Sequence, residues 1–245
     1  MTKGIWLFLA FLASFAFTAG LALAVQPSGA NYTNAATTWA PADNPQSHGA
    51  YAGNSTYMDV SGTTTTQTWQ GYYGNVTGMI QLADSGDKAL YNWSVSSPGG
   101  EVYASENGTG QITWSNVACF DLATNGDALE TRFNISGNSS EGVNETFSDA
   151  NTHAVFYTAG TSFSAGQCAA AYMNDETGVG SSGTFEEVLL TDQSDAVQVI
   201  FTALLEKDEP GFDGEDYDFE MMVLEDGHAD DTSPTNYYFY IELDA

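Results

Sequence analysis

Basic side chains are almost missing from this chain: Lys and Arg together number four against 32 Asp and Glu, a formal net charge of −28. A surface of that sign repels phosphate backbones and anionic headgroups, so neither nucleic-acid binding nor peripheral membrane binding is expected. Cations are its natural partners, although such an excess of acids also serves simply to solvate a protein or to suit it to a salty medium. Cysteine is nearly absent too. Cys119 and Cys168 are the only two, too few for a thiolate metal centre, and an even number in an exported chain reads as one disulfide. His48, His153 and His228 are scattered and offer no metal-ligand spacing. Also missing are a long amphipathic helix, a fixed-period repeat and the G-x-S-x-G, H-E-x-x-H, P-loop and dinucleotide-binding signatures. Acid pairs such as Glu186 and Glu187, which a glycosidase would need, arise by chance among 32 acids. The chain is therefore expected not to be an enzyme.

What is present describes a folded, exported protein. Apolar residues make up 42% of the chain and aromatics 13%, enough to build a core, and 245 residues suffice for one sizeable β domain or two small ones. Lys3 precedes an uncharged apolar run from Gly4 to Val25 that ends in Ala22-Leu23-Ala24. A short positive start, an apolar centre and a small-x-small exit describe a secretory signal peptide over residues 1–24, cleaved after Ala24. Two other fates fit the same residues: the run is long enough to stay as an anchor, and Lys3-Gly4-Ile5 permits pilin-type processing. Residues 25–53, rich in Ala, Asn, Thr, Ser and Pro, read as an irregular arm or linker. In an assembling protein such an arm could add a strand to a neighbour's sheet.

Residues 54–245 read as one all-β domain. Expected strands are Thr56–Val60, Thr65–Tyr73, Asn75–Leu82, Ala89–Val95, Glu101–Ala104, Gln111–Trp114, Thr131–Ser136, Phe185–Asp192, Val197–Leu205, Tyr217–Leu224 and Tyr237–Leu243, divided by turns rich in Gly, Asn, Asp and Pro. In the second half of this series Val197–Leu205 is apolar on both faces and belongs at the centre of a sheet. In the first half, Val76, Ile80 and Leu82 share a side meant for burial, while Asn75, Thr77 and Gln81 face the other way. Trp93 likewise falls on the inward side of its strand. An antiparallel β-sandwich or jelly-roll-like domain accommodates the whole series.

Eight N-x-[ST] sequons occur, at Asn31, Asn54, Asn75, Asn92, Asn107, Asn134, Asn138 and Asn144, all among 15 Asn and none beyond residue 146. That abundance points to export and N-linked glycans. The acidic stretch Glu206–Glu220 carries eight carboxylates in fifteen residues, bent by Pro210, Gly211 and Gly214. Many oxygens on a flexible turn suit a hard cation, so Asp208, Asp213, Glu215 and Asp216 are candidate Ca²⁺ ligands, although the spacing is not that of an EF-hand. Asp218 and Glu220 are expected on the exposed face of the next strand. Trp39, Trp69, Tyr72, Tyr73, Trp93, Tyr103 and Trp114 are expected to pack the core, with a sugar-stacking platform as the alternative.

Two blocks carry a resemblance. Trp69-Gln70-Gly71-Tyr72-Tyr73-Gly74-Asn75-Val76-Thr77-Gly78 with Leu90-Tyr91-Asn92-Trp93, and Asp208-Glu209-Pro210-Gly211-Phe212-Asp213-Gly214 with Tyr217-Asp218-Phe219, resemble blocks in archaeal secreted and cell-surface β-rich proteins of poorly defined role. The resemblance implies an extracellular or envelope location and carries over no catalytic residue. The expectation is a secreted, glycosylated structural protein of an archaeal surface or extracellular filament, self-associating and Ca²⁺-stabilised. A secreted carbohydrate-binding module using exposed aromatics is the alternative.

Overall fold

In the computed structural model the described residues are 26–244 without 34, 97, 138, 194, 196 and 227–232. The expected signal segment 1–24, Asn138 and His228 lie outside them. Along the chain run β1 (Ser28–Gly29), β2 (Trp69–Gly74), β3 (Thr77–Ala83), β4 (Ala89–Ser96), β5 (Gly99–Ser105) and β6 (Ala118–Cys119). Helices α1 (Leu122–Arg132) and α2 (Val143–Thr146) follow, then β7 (Phe156–Thr158), β8 (Thr161–Phe163) and β9 (Ala170–Tyr172). The last group is β10 (Glu186–Thr191), β11 (Ile200–Leu204), β12 (Glu209–Pro210), β13 (Asp216–Tyr217), β14 (Phe219–Leu224) and β15 (Tyr238–Asp244). The strands pair antiparallel throughout, and the fold is all-β.

The central sheet has the order β1-β15-β5-β11-β10-β6, with β9 also pairing β10. β11 sits in the middle, as its two apolar faces require. Ile200 and Leu204 point to one core with Val188, Leu190, Tyr103, Trp114, Phe156 and Phe163. Phe201 and Ala203 point to the other, with Leu189, Phe120, Leu129, Phe147, Met221 and Val223. The β2–β14 ribbon and α1 cover this second face, while the β7–β8 hairpin and the loop at Trp114 cover the first. A strand covered on both sides can be apolar at every position.

Cys119 and Cys168 form the expected disulfide. Cys119 pairs with Leu190 on one half of the outer edge of β10, while β9, two residues beyond Cys168, occupies the other half. The bond staples these two short strands together. Closing 49 residues of sequence separation, it contributes about 4 kcal/mol by the loop-entropy model.

Three expected strands are not formed. Thr56–Val60 is exposed, irregular chain within a stretch whose described residues are all exposed from Asn31 to Gln67. Gln111–Trp114 is a turn entering a 3₁₀ segment at Trp114–Asn116. Thr131–Ser136 is the end of α1: Asn134 takes φ +53° and the Ile135 N–H donates to the Glu130 carbonyl. Phe133 and Ile135 are both buried, but as the two sides of a helix C-terminal turn rather than as strand neighbours. α1, 11 residues long, is a short helix where no helix was expected. The Asp121 carboxylate caps it by accepting the Thr124 N–H at 3.1 Å, and Leu122, Gly126, Leu129 and Phe133 repeat along its buried side.

The arm begins inside the fold. Ser28 and Gly29 pair with Ile241 and Tyr240, the Ala30 N–H donates to the Phe239 carbonyl at 2.9 Å, and Pro27 is buried. These few contacts cover only part of the outer edge of β15.

Candidate functional site

The β3–β4 hairpin is the most exposed part of the sheet structure. Its register pairs Gly78 with Val95, Ile80 with Trp93 and Leu82 with Tyr91 on one face, and Thr77 with Ser96, Met79 with Ser94 and Gln81 with Asn92 on the other. Alternation thus separates an apolar face from a mostly polar one that carries the Asn92 sequon. The apolar face was expected to be buried, and it is not. Ile80, Leu82, Tyr91 and Trp93 are 38%, 52%, 60% and 49% exposed. Of the residues expected on that side only Val76 is buried, because it lies at the root, before the strand begins. There its N–H donates to the Asp218 carboxylate at 2.6 Å. At Gly78 the chain passes so close to the body that an added Cβ would fall 2.3 Å from Leu243 Cδ1. Beyond this anchor the hairpin stands clear of the core. At its tip the Asp84 carboxylate accepts the Gly86 and Lys88 N–H groups at 2.9 and 3.0 Å, and these bonds hold its pKa below the ordinary carboxylate range.

The acidic stretch folds into a second small hairpin. β12 and β13 pair Glu209 with Tyr217 and Pro210 with Asp216. This ladder sets Asp208 at the base and Asp213 and Glu215 at the turn. Asp213 is engaged within the turn, one oxygen accepting the Glu215 N–H at 3.1 Å and the other the Tyr217 hydroxyl at 3.0 Å. Among the described residues no group of three or more His, Cys, Asp or Glu side chains is placed to hold a metal ion. Asp218 and Glu220, expected to face solvent, are buried at 1% and 6% exposure. The turn folds back on them: the Asp208 N–H donates to Asp218 and the Phe212 N–H to Glu220. Burial raises the Glu220 pKa.

Other acids are buried in ways the sequence pattern did not reveal. Glu101 and Glu242 stand directly opposite each other on β5 and β15, 2% and 7% exposed. The Tyr103 hydroxyl lies between them, 3.4 Å from Glu101 and 3.3 Å from Glu242, and 3.1 Å from the Thr158 hydroxyl. Tyr157 and Ala159 donate their N–H groups to Glu101 and Glu242, so the cluster clasps the β7–β8 hairpin to the sheet. Burial pushes Glu101 up to about 8 and raises Glu242; two facing carboxyls in low dielectric cannot both be charged cheaply. Glu186 accepts the Ala154 N–H, the Ser182 hydroxyl and the Gly183 N–H. Glu187, fully buried, reaches across to accept the Met222 N–H at 2.9 Å, and burial raises its pKa strongly. Glu186 and Glu187 hold backbone in place, which is a structural use of the pair.

The aromatics divide. Tyr103 and Trp114 are buried, as expected, and Trp69 packs against Phe147 and Phe201. Trp39, Trp93 and Tyr73 are 82%, 49% and 45% exposed, contrary to the core expectation. A shallow groove of about 330 Å³ lies between Trp39 and the β2–β14 ribbon, lined also by Tyr72, Tyr73, Phe212 and Met222. Of the sequon asparagines, Asn31, Asn54, Asn75, Asn92, Asn134 and Asn144 are exposed and Asn107 is half-buried. Asn144 differs from the rest, because its amide donates to Asp127 at 2.8 Å and its oxygen lies where a side chain at Gly126 would be. Comparison with protein-family models, with curated proteins and with solved structures finds no match to this chain.

Proposed function

We propose that this chain is an exported, N-glycosylated structural protein that self-associates at an archaeal cell surface or in an extracellular filament. The observation that carries the reading is the exposed apolar face of the β3–β4 hairpin on a molecule of net charge −28. A contiguous apolar face on an otherwise highly charged chain marks a surface meant to be covered. The exposed sequons and the signal-like N-terminus favour an extracellular setting, and the resemblance of the two sequence blocks favours an archaeal one. Buried, hydrogen-bonded Glu186, Glu187, Asp218 and Glu220 give the acids structural work and weigh against a hydrolytic role. Calcium enters through the acidic turn alone, as a dissociable stabiliser.

Negative-stain electron microscopy of the full chain from a glycosylating host, with Ca²⁺ and with chelator, tests this. Ordered filaments or sheets are expected, less regular after chelation. Particles that remain single in both conditions contradict self-assembly. The groove beside Trp39 favours a second reading, a carbohydrate-binding module, and retention on insoluble polysaccharide without any assembly would select it.

A further inference from the structure

Resting on the self-association reading, we infer that the apolar face of the β3–β4 hairpin docks on the same face of a second copy of this chain. The partner is narrowed first by charge. Strands TGMIQLA and ALYNWSVS contain no acidic or basic residue, whereas the whole chain carries −28. A cationic partner would be drawn to the acidic body rather than to this neutral face. What fits is another uncharged apolar surface, and the chain itself supplies one. Two copies related by a two-fold axis present identical patches to each other, the self-complementary arrangement of closed dimers.

Like-charged bodies must still be kept apart, and the hairpin does this. Seven residues of β3 span about 24 Å, roughly three Debye lengths at physiological ionic strength. Hairpins lying antiparallel, tip over root, separate the two bodies by about that length. At the root Leu243 fills the space over Gly78 and continues the apolar face onto β15. Glycans do not obstruct the contact, because Asn92 pairs with Gln81 on the opposite face. The ring geometry also disfavours sugar as the occupant. Tyr91 and Trp93 are 4.8 Å apart but inclined at 58°, so they present no common plane for stacking.

Sedimentation velocity of the full chain at about 0.1 M and about 1 M NaCl tests the inference, using wild type, Ile80→Thr/Trp93→Thr and Met79→Thr. Thr preserves strand propensity, and Met79, 56% exposed, lies on the opposite face as a control. The wild type and Met79→Thr are expected to associate more tightly at the higher salt, where repulsion between the bodies is screened. The double variant should dissociate at least about tenfold more readily, and at a dilution where the wild type too is monomeric the two should melt at the same temperature. Association undiminished in the double variant overturns this interface and leaves the assembly reading standing. A wild type that stays monomeric at both salts overturns both. Association that weakens with salt overturns the interface in favour of a charge-driven contact. Loss of polysaccharide retention in the double variant, with unchanged sedimentation, assigns the face to sugar and overturns it too.

Discussion

The β10–β11 pair and the β3–β4 pair are both antiparallel ribbons with well-defined faces, yet they end in opposite environments. Every residue of β10 and β11 is buried, while every residue of β3 and β4 but Gly78 and Val95 is exposed. In β10–β11 both faces find cover, from the β2–β14 ribbon and α1 on one side and from the β7–β8 hairpin on the other. In β3–β4 the cover stops at Leu243 and Val76, and an isolated two-stranded ribbon is marginal in water. Alternation therefore reports that a strand has two unlike faces. It does not report which partner covers the apolar one, and on the proposed reading the hairpin's partner is another molecule.

The largest effect expected from this contrast is in the cost of truncation. Phe201→Ala, at a fully buried position on β11, should destabilise the chain by roughly 3–5 kcal/mol in urea unfolding. Trp93→Ala on the monomer should cost under about 0.5 kcal/mol. Equal costs would mean that the hairpin is part of the core and would erase the contrast.

The disulfide sharpens the comparison from the covered side. Cys119→Ser/Cys168→Ser should cost about 4 kcal/mol, because the unfolded chain regains the entropy of the closed loop, and should leave protease sensitivity in the β3–β4 hairpin unchanged. Hairpin cleavage that rises with core unfolding would show the two regions to be one cooperative unit.

A smaller effect follows from the Glu101–Glu242 cluster. Glu101 titrates near 8 in the fold against an ordinary 4.5, so between those values the folded chain holds a proton that the unfolded chain releases. Stability from this group is complete at and below about pH 4.5 and is lost as pH rises through 8, by at most about 1.4 kcal/mol per pH unit. Melting temperature should fall from pH 5 to pH 9, and Glu101→Gln should flatten that slope. A profile that rises over the same range would contradict the assignment of a neutral carboxyl.

The smallest effect concerns sugar occupancy. Glycopeptide mass spectrometry should find Asn92, on the open polar face of the hairpin, modified more fully than Asn144, whose amide is bonded to Asp127. The reverse order would mean that glycan is attached before the α1–α2 contact forms.

Much of the covered region was legible in the sequence. Val188 and Leu190, then Val199, Phe201 and Ala203, alternate without interruption, and the corresponding strands form and pair. The single pair of cysteines left one disulfide to make. α1 was hidden because Thr124, Asn125, Gly126 and Asp127 are weak helix formers, and what starts the helix is the Asp121 cap. Asp218 and Glu220 were misplaced for a different reason. Their alternation is as outward as expected, but the chain between Asp208 and Phe212 returns over them and supplies N–H donors, a tertiary event with no local signal. The hairpin face was legible as a face, and its exposure was not.

Hydrogen exchange compared between dispersed and associated chain, read by mass spectrometry, tests the central claim most directly. The account predicts new protection confined to residues 77–96, with residues 186–204 equally protected in both states. Association that leaves 77–96 exchanging freely and protects another segment, such as the edge of β15 beside the arm, would contradict it.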